Sequence, residues 1–273
     1  MTVNTIRYAL GVEYNGAAFY GWQRQLSPAM PSVQATLEEA LSFVANGPIT
    51  VNCAGRTDSG VHGSGQVVHF ECPVQRNEKA WVMGTNTRLP AEIRVQWACE
   101  VAPDFHARHS ALSRRYRYVL YDEAVKPTVL INQITHVRES IDEKLMHQAA
   151  QCLVGEHDFS AFRATGCQAN SPVREIRFVQ VRRYGRFVVL EIEANAFLQH
   201  MVRNITGTLL QVATGKQPVE WVGQVLQSRD RKQGGDTARP DGLYLVGVQY
   251  PPRFGLPVNP HGPCFLPAVL SGD

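Results

Sequence analysis

From Ile6 to Glu13 the chain is apolar and strand-like, and from Ser32 to Val44 the period changes. Val33, Leu37, Ala40, Leu41 and Val44 recur at helical spacing and fall on one face. Strands are predicted at 49–53 and at 66–72, where Gln66-Val-Val-His-Phe-Glu-Cys72 alternates, followed by a helix over Asn77–Thr87 and a strand over Ile93–Glu100. After a link at 102–113, Ser113–Tyr121 reads as a strand rich in Tyr and Val. Ser140-Ile-Asp-Glu143 has the form of a capping box, which predicts a helix from there to Leu153. Glu175–Arg183 and Arg186–Ala194 read as a hairpin around Tyr184-Gly185. Phe197, Met201, Ile205, Leu209 and Val212 mark one face of a helix that starts near Phe197. Pro218 suits the first turn of a further helix ending near Ser228, and Tyr244–Tyr250 is a last strand. The tail from Pro251 holds six prolines in 23 residues and is expected to be extended. Strand–helix–strand–strand–helix–strand in each half predicts an α+β fold of two ferredoxin-like units. The expected segments are 1–104, 105–250 and a tail, 251–273.

Composition narrows the class. At 273 residues, with 44% hydrophobic and 19% charged residues, the chain is globular and long enough for one large or two ordinary domains. No run of 18 apolar residues occurs, so no membrane span is expected, and the first residues lack the pattern of a signal peptide. A cytoplasmic location is the expectation. Cys53, Cys72, Cys99, Cys152, Cys167 and Cys264 are scattered without a C-x-x-C pair, which argues against a zinc ribbon or a redox dithiol. Net charge is only +3, but five lysines stand against 22 arginines, the side chain whose planar fork suits phosphates and stacks on bases. Residues 105–121 hold Arg108, Arg114, Arg115 and Arg117 among Phe105, His106, His109, Tyr116, Tyr118 and Tyr121, with no acid. Residues 159–174 also lack acids and carry Arg163 and Arg174. Basic residues interleaved with aromatics suit an RNA surface.

The densest local chemistry lies in Ala54-Gly-Arg-Thr-Asp-Ser-Gly-Val-His-Gly63. Asp58 sits in a loop between two strand-like segments, where a rigid scaffold can present a reactive group. Gly55 and Gly60 allow positive φ or close backbone approach, and Arg56 and Thr57 bring donors within two residues of the carboxylate. His62 and His69 are seven apart with no third ligand nearby, so they read as structural histidines and no metal is expected. Gly234-Gly235 is not a phosphate loop, because no G-K-[ST] follows.

This loop resembles the active-site loop of the tRNA pseudouridine synthase A family. The resemblance continues, in order, through Tyr14-Asn-Gly16 with Gly21-Trp-Gln-Arg-Gln25, Ser32-Val-Gln-Ala-Thr-Leu-Glu38, Phe105-His-Ala-Arg108 and Arg114-Arg-Tyr-Arg-Tyr118. It extends to His157-Asp-Phe159, Asn195-Ala-Phe197 with His200-Met-Val-Arg-Asn204, and Gly242-Leu-Tyr-Leu245. Where the family more often has alanine, this loop carries Ser59 and Gly63. The resemblance implies two α+β halves sharing a mixed, largely antiparallel sheet with a basic active-site cleft between them, and conversion of uridine to pseudouridine at tRNA positions 38, 39 and 40. It also implies a homodimer and no cofactor.

Residue by residue, the resemblance implies Asp58 as the catalytic carboxylate and Arg203 as its charge partner. Tyr116 would stack on the flipped uracil and act in catalysis through its hydroxyl, at the C5 proton; Leu243 would line the uracil pocket, and Arg56 would fill the gap the base leaves. Phe105, His106, Ala107, Arg108 and His109 resemble an RNA-binding stretch. Gly166, Cys167, Gln168, Ala169 and Asn170 stand at the position of a second, with Arg76 and Lys126 as backbone contacts. The reaction breaks a C1′–N1 bond and forms a C1′–C5 bond on one ribose, without redox change or net hydrolysis. A carboxylate can serve by covalent attack at ribose C1′ or uracil C6, or by taking the ribose 2′-proton. In every case the target base must leave its stack. Two rival readings are a non-catalytic RNA-binding module, which lacks here the usual RNP1 pattern, and a metal-assisted hydrolase using Asp58, His62 and His69.

Overall fold

The computed structural model describes residues 5–25, 30–257 and 262–267. The chain divides into two compact units, Met1–Leu112 with Tyr244–Asp273, and Ser113–Leu243. These bounds differ from the expected 1–104, 105–250 and 251–273. The chain changes unit at Ser113, and from Tyr244 on it belongs to the first unit again.

In the first unit, β1 (Ile6–Tyr14) pairs antiparallel with both β3 (His62–Cys72) and β4 (Ile93–Glu100), placing Leu10 opposite Val68 and Ala98. The short β2 (Asn52–Cys53) lies on β3 through Cys53 and Val68, giving the order β4-β1-β3-β2 of a ferredoxin-like unit. Alternation assigns the faces. Tyr8, Leu10, Val12 and Phe70 pack against α1 (Val33–Ala45) and against Trp81. Ala9 and Val67 pack against Phe105, Ala107 and Phe254 on the opposite face. The helix predicted at 77–87 contains a wide π turn at Ala80–Gly84, which seats the fully buried Trp81.

In the second unit, β5 (Ser113–Tyr121), β9 (Phe187–Ala194), β8 (Val173–Tyr184) and β7 (Gly155–Asp158) form an antiparallel sheet in that order, and β6 (Thr135–His136) lies parallel on β5. Helix α2 (Glu143–Ala150) packs on β8 and on α3 (Met201–Ala213), with α4 (Trp221–Ser228) beside them. The N-cap of α2 is Asp142, whose carboxylate accepts from Lys144 and Leu145 N–H at 3.0 Å, so the capping box expected at Ser140 does not form. The closer carboxylate takes the first-turn amides instead. Helix α3 begins at Met201, not near Phe197, because His200 turns into the left-handed region at φ 61°. It is buried nearly all round, with Asn204, Thr206 and Thr208 among its buried residues, rather than on the one apolar face its periodicity predicts. The last strand, β10 (Leu243–Gln249), runs parallel to the start of β3, pairing Tyr244 with His62 and Leu245 with Gly63. The tail is not simply extended: Pro252–Phe254 form a 3-10 turn that buries Phe254. Residues 258–261 and 268–273 of that tail lie outside the described residues.

The acid-free arginine patch expected at 105–121 is partly consumed inside the second unit. Arg117 is fully buried beside Glu191, and Arg115 bonds Glu193 at 2.7 Å and Glu191 at 3.4 Å. A bulge between Ile176 and Phe178 accompanies a third bond, from Arg177 to Glu193 at 3.2 Å, and Ser113 donates to the same carboxylate at 2.7 Å. The acids come from β9, about 75 residues downstream of β5, so a linear window sees only the arginines. Burial alone would raise the Glu193 carboxyl, but the Ser113 and Arg115 hydrogen bonds and the arginine charges hold it below the ordinary carboxylate value. Its folded pKa is therefore depressed, and its stabilisation is full above the unfolded carboxylate pKa and lost as pH falls through the folded one. Glu193→Gln is expected to cost on the order of 2 kcal/mol near neutral pH, because it takes the buried carboxylate away from the half-buried Arg115 and from Ser113. The difference from wild type should shrink as denaturant titrations are taken well below pH 4, where the wild-type carboxylate also loses its charge.

Candidate active site

In the first unit the Asp58 loop is held from behind by the chain between β1 and α1. Trp22 N–H donates to the Thr57 carbonyl at 3.0 Å, and the Tyr14 and Thr57 hydroxyls meet at 2.9 Å. Gly60 N–H reaches the Phe19 carbonyl at 3.4 Å, and Gly16 N–H donates to His62 Nδ1 at 3.0 Å. The buried Gln66 amide brackets the loop's first glycine, donating to the Gly55 carbonyl at 2.7 Å. Tyr14 and Trp22 are themselves core residues, so the loop is tied to a rigid base. Thr57 is buried, Asp58 is half-buried and Arg56 and Ser59 are exposed. Gly60 takes φ 77°, the left-handed turn that returns the chain into β3, and Val61 N–H closes it on the Asp58 carbonyl at 3.1 Å.

That base has its own support. Helix α1 starts at the Ser32 cap, and its buried Gln34 and Glu38 face the Gly21–Gln25 stretch. Gln34 accepts from Gln23 and from the Arg24 N–H, and Glu38 binds Arg24 at 2.8 Å and the Val51 N–H at 3.0 Å. The polar residues of the 32–38 motif therefore serve the loop at one remove.

The sequence candidates fall into both units. Arg56, Asp58, Arg76 and residues 105–109 belong to the first; Tyr116, Lys126, Gly166–Asn170, Arg203 and Leu243 belong to the second. Arg76 and Lys126 are exposed. Phe105 and Ala107 are fully buried in the core, so they anchor their segment and cannot touch RNA. Half-buried His106 and the exposed Arg108 and His109 remain on the surface. His106, tilted between the His69 and His109 rings at centroid distances of 4.5 and 4.3 Å, accepts the Arg108 and His109 N–H groups on Nδ1. Burial and the neighbouring His106 and Arg7 charges push His69 down to about 4, and the neutral ring accepts the Ala107 N–H at 3.1 Å. His62 and His69 thus both spend Nδ1 on the backbone, which is the structural role expected of them and is incompatible with a ligand role for that nitrogen.

In the second unit Tyr116 is nearly buried, and the Phe197 ring meets it edge-on at 5.1 Å. Arg203 is the half-buried member of the first turn of α3, and its Nε donates to the Ala238 carbonyl at 2.8 Å. The loop that supplies that carbonyl continues into Leu243, which is buried. Residues 166–170 form a loop whose Cys167 and Ala169 carbonyls accept from Arg163 at 2.6 and 2.8 Å. Sequence reasoning passed over Asn204 and the Tyr14–Thr57 contact; the quoted motifs contain all three residues but carry no sign of who bonds whom.

Comparison with known proteins covers residues of both sets. The tRNA pseudouridine synthase family model matches residues 11–110 and 149–251, a span that includes Asp58, Arg203 and Leu243 but not Tyr116 or Lys126. A tRNA pseudouridine synthase A from Actinobacillus succinogenes is 55% identical over 265 residues, covering 97% of this chain and 100% of that protein. Proteins of the same name from Vibrio campbellii and Shewanella amazonensis are 53% and 54% identical, covering 97% and 96% of this chain and 100% of each relative. A chain of the archaeal box H/ACA sRNP Nop10-Cbf5 complex is similar at a TM-score of 0.37 and 10% identity, over 89% of this chain and 49% of that one, a likeness too slight to bear weight. Identity above one half, over the full length of the relatives, defines the class as an α+β enzyme that isomerises uridine in tRNA. The chain belongs to the tRNA pseudouridine synthase A family.

The grip on the Asp58 loop leaves no room at Gly16, where an added Cβ would lie 1.9 Å from the Val61 carbonyl oxygen. Gly16→Ala is expected to push that backbone away, cost about 2 kcal/mol in thermal unfolding, and lower pseudouridine formation more than the lost folded fraction explains.

Proposed function

We propose that the enzyme acts on the 3′ side of the anticodon stem-loop, converting uridines at tRNA positions 38, 39 and 40, with Asp58 as the essential carboxylate. The observation that carries this reading is the Asp58 loop itself, a half-buried carboxylate on a turn braced at Thr57, Gly60 and His62, in a chain whose full-length relatives are named for the activity. A carboxylate so fixed suits covalent attack or proton removal, since either needs the reacting oxygen held close to its target. Arg203 is assigned the charge partner's role, and a guanidinium with Nε already engaged has a set plane for binding a carboxylate. Tyr116, backed by Phe197, is assigned the stacking wall for the flipped uracil, with Leu243 as the apolar lining. Arg56, exposed beside the carboxylate, is assigned the wedge that occupies the vacated stack.

The tRNA backbone is assigned to Arg76, Lys126, His106, Arg108 and His109, and to the loop 166–170. Among the described residues no helix is long and apolar enough to cross a membrane, and the proposed setting is the cytoplasm, where tRNA is met. The proposed working form is a homodimer, which joins two modestly basic chains into a longer track for one tRNA. Sedimentation at working concentration should give twice the 30.4 kDa chain mass; a monomer would contradict the dimer.

The deciding experiment follows tritium release from a tRNA transcript carrying C5-tritiated uridine, in EDTA. Wild type should release tritium and Asp58→Asn should release none while still binding the tRNA. Transcripts retaining a single uridine at 38, 39 or 40 should each be substrates, and a transcript lacking all three should not. Release from that last transcript would sink the positional assignment, and release by Asp58→Asn the catalytic one.

A further inference from the structure

The second unit contains a buried tyrosine whose hydroxyl the proposed chemistry does not use. Tyr118 lies two residues beyond Tyr116 on β5, on the same face, and is fully buried. Its hydroxyl donates to the Arg239 carbonyl and sits 2.9 Å from the Thr135 hydroxyl, itself buried. A phenylalanine would fill this space without a polar atom to satisfy, so the hydroxyl is there for its bond. Burial raises its pKa far above the usual tyrosine value, against the opposing Thr135 hydrogen bond, so it stays a donor throughout the working range.

The carbonyl it holds belongs to the residue after Ala238. Ala238 is bonded twice to Arg203: its carbonyl accepts from Arg203 Nε at 2.8 Å, and its N–H donates to the Arg203 carbonyl at 3.2 Å. The same loop is fastened upstream to the next residue of the helix. Asn204, buried, accepts from the Thr237 hydroxyl at 2.6 Å and from Arg231 at 3.2 Å, and donates to the Phe162 carbonyl at 2.8 Å. A Cβ on Gly207 would lie 1.7 Å from the Asp236 carbonyl oxygen, so loop and helix backbones are in direct contact. Two buried anchors, Tyr118 below and Asn204 above, therefore bracket the carbonyl that accepts from Arg203 Nε.

We propose that Tyr118 is a positioning residue for the isomerisation: by holding the Arg239 carbonyl it fixes the Ala238 carbonyl, and thereby the orientation of the Arg203 guanidinium. This rests on the reading that Arg203 serves the reaction. Small displacements of a fixed charge cost much in rate and little in binding, because binding is spread over the whole tRNA.

The test is a double-mutant cycle of Tyr118→Phe and Arg203→Lys, with kcat and KM for tRNA from tritium release and melting temperature as the fold control. A lysine has no Nε–H fork for the Ala238 carbonyl to orient. Tyr118→Phe should lower kcat about tenfold with KM nearly unchanged. Arg203→Lys should lower kcat further, and adding Tyr118→Phe to it should lower kcat no more. Effects that multiply, or a silent Tyr118→Phe beside an impaired Arg203→Lys, would overturn this inference and leave the Arg203 assignment standing. A fully active Arg203→Lys would overturn both. Should Tyr118→Phe fold poorly, Thr237→Val removes an exposed hydroxyl from the other anchor and should show the same loss in kcat and the same non-additivity; multiplying effects there overturn the inference equally.

Discussion

The bond from Trp22 N–H to the Thr57 carbonyl, with the Tyr14–Thr57 hydroxyl contact beside it, is the constraint on which the candidate site depends. A turn of a few residues cannot satisfy its own backbone groups, and one left to itself would sample many conformations. Here the residue before the carboxylate is buried and bonded on both its carbonyl and its side chain, so Asp58 emerges from a point that cannot drift. The chain between β1 and α1 is in turn held by Gln34 and Glu38, which spend a buried amide and a buried carboxylate on it. Buried polar groups of this kind cost desolvation and return it only when fully bonded. Their presence on an otherwise apolar helix face marks where the fold trades core area for a fixed loop.

The second unit makes the same trade at larger scale. Arg115, Arg117 and Arg177 against the buried Glu191, Glu193 and Ser113 form a partly buried ionic ladder across β5, β9 and β8. Such ladders are poor sources of net stability, since desolvation offsets most of the attraction. They do impose register, because a strand shifted by two residues would leave full charges unpaired. Register on β5 decides where Tyr116 and Tyr118 stand. The ladder on one face of the strand thus aligns the aromatic pair on the other, one tyrosine assigned to the base and one to the loop that orients Arg203.

Much of this was legible along the chain. The apolar run of β1, the helical period of α1, the hairpin at Tyr184-Gly185 and the bounds of β4 and β5 emerged from the local pattern of residues, because those elements are regular. The alternation read at 66–72 does not hold, since Gln66–Phe70 are buried on both faces of the sheet. One misreading was local: Asp142 displaced Ser140 as cap because both were near enough and the carboxylate accepted better. The others share one origin: partners far away in sequence. Phe105 and Ala107 belong to a segment that looked like RNA surface, yet they close the core under β1 and β3, which no window of neighbours reveals. Arg115 and Arg117 looked like free positive charge until β9 supplied the acids.

By itself the sequence determined the element order, the α+β class and the family, and it marked the candidate residues for the chemistry, since these depend on local periodicity and on motifs of adjacent residues. Only the tertiary structure decided which of those residues are held, buried or spent on one another. Hydrogen bonds and ion pairs join groups by distance in space, and a chain that folds both through the tight turn at Gly185-Arg186 and through the long return from His62 to Tyr244 sets that distance independently of position along it.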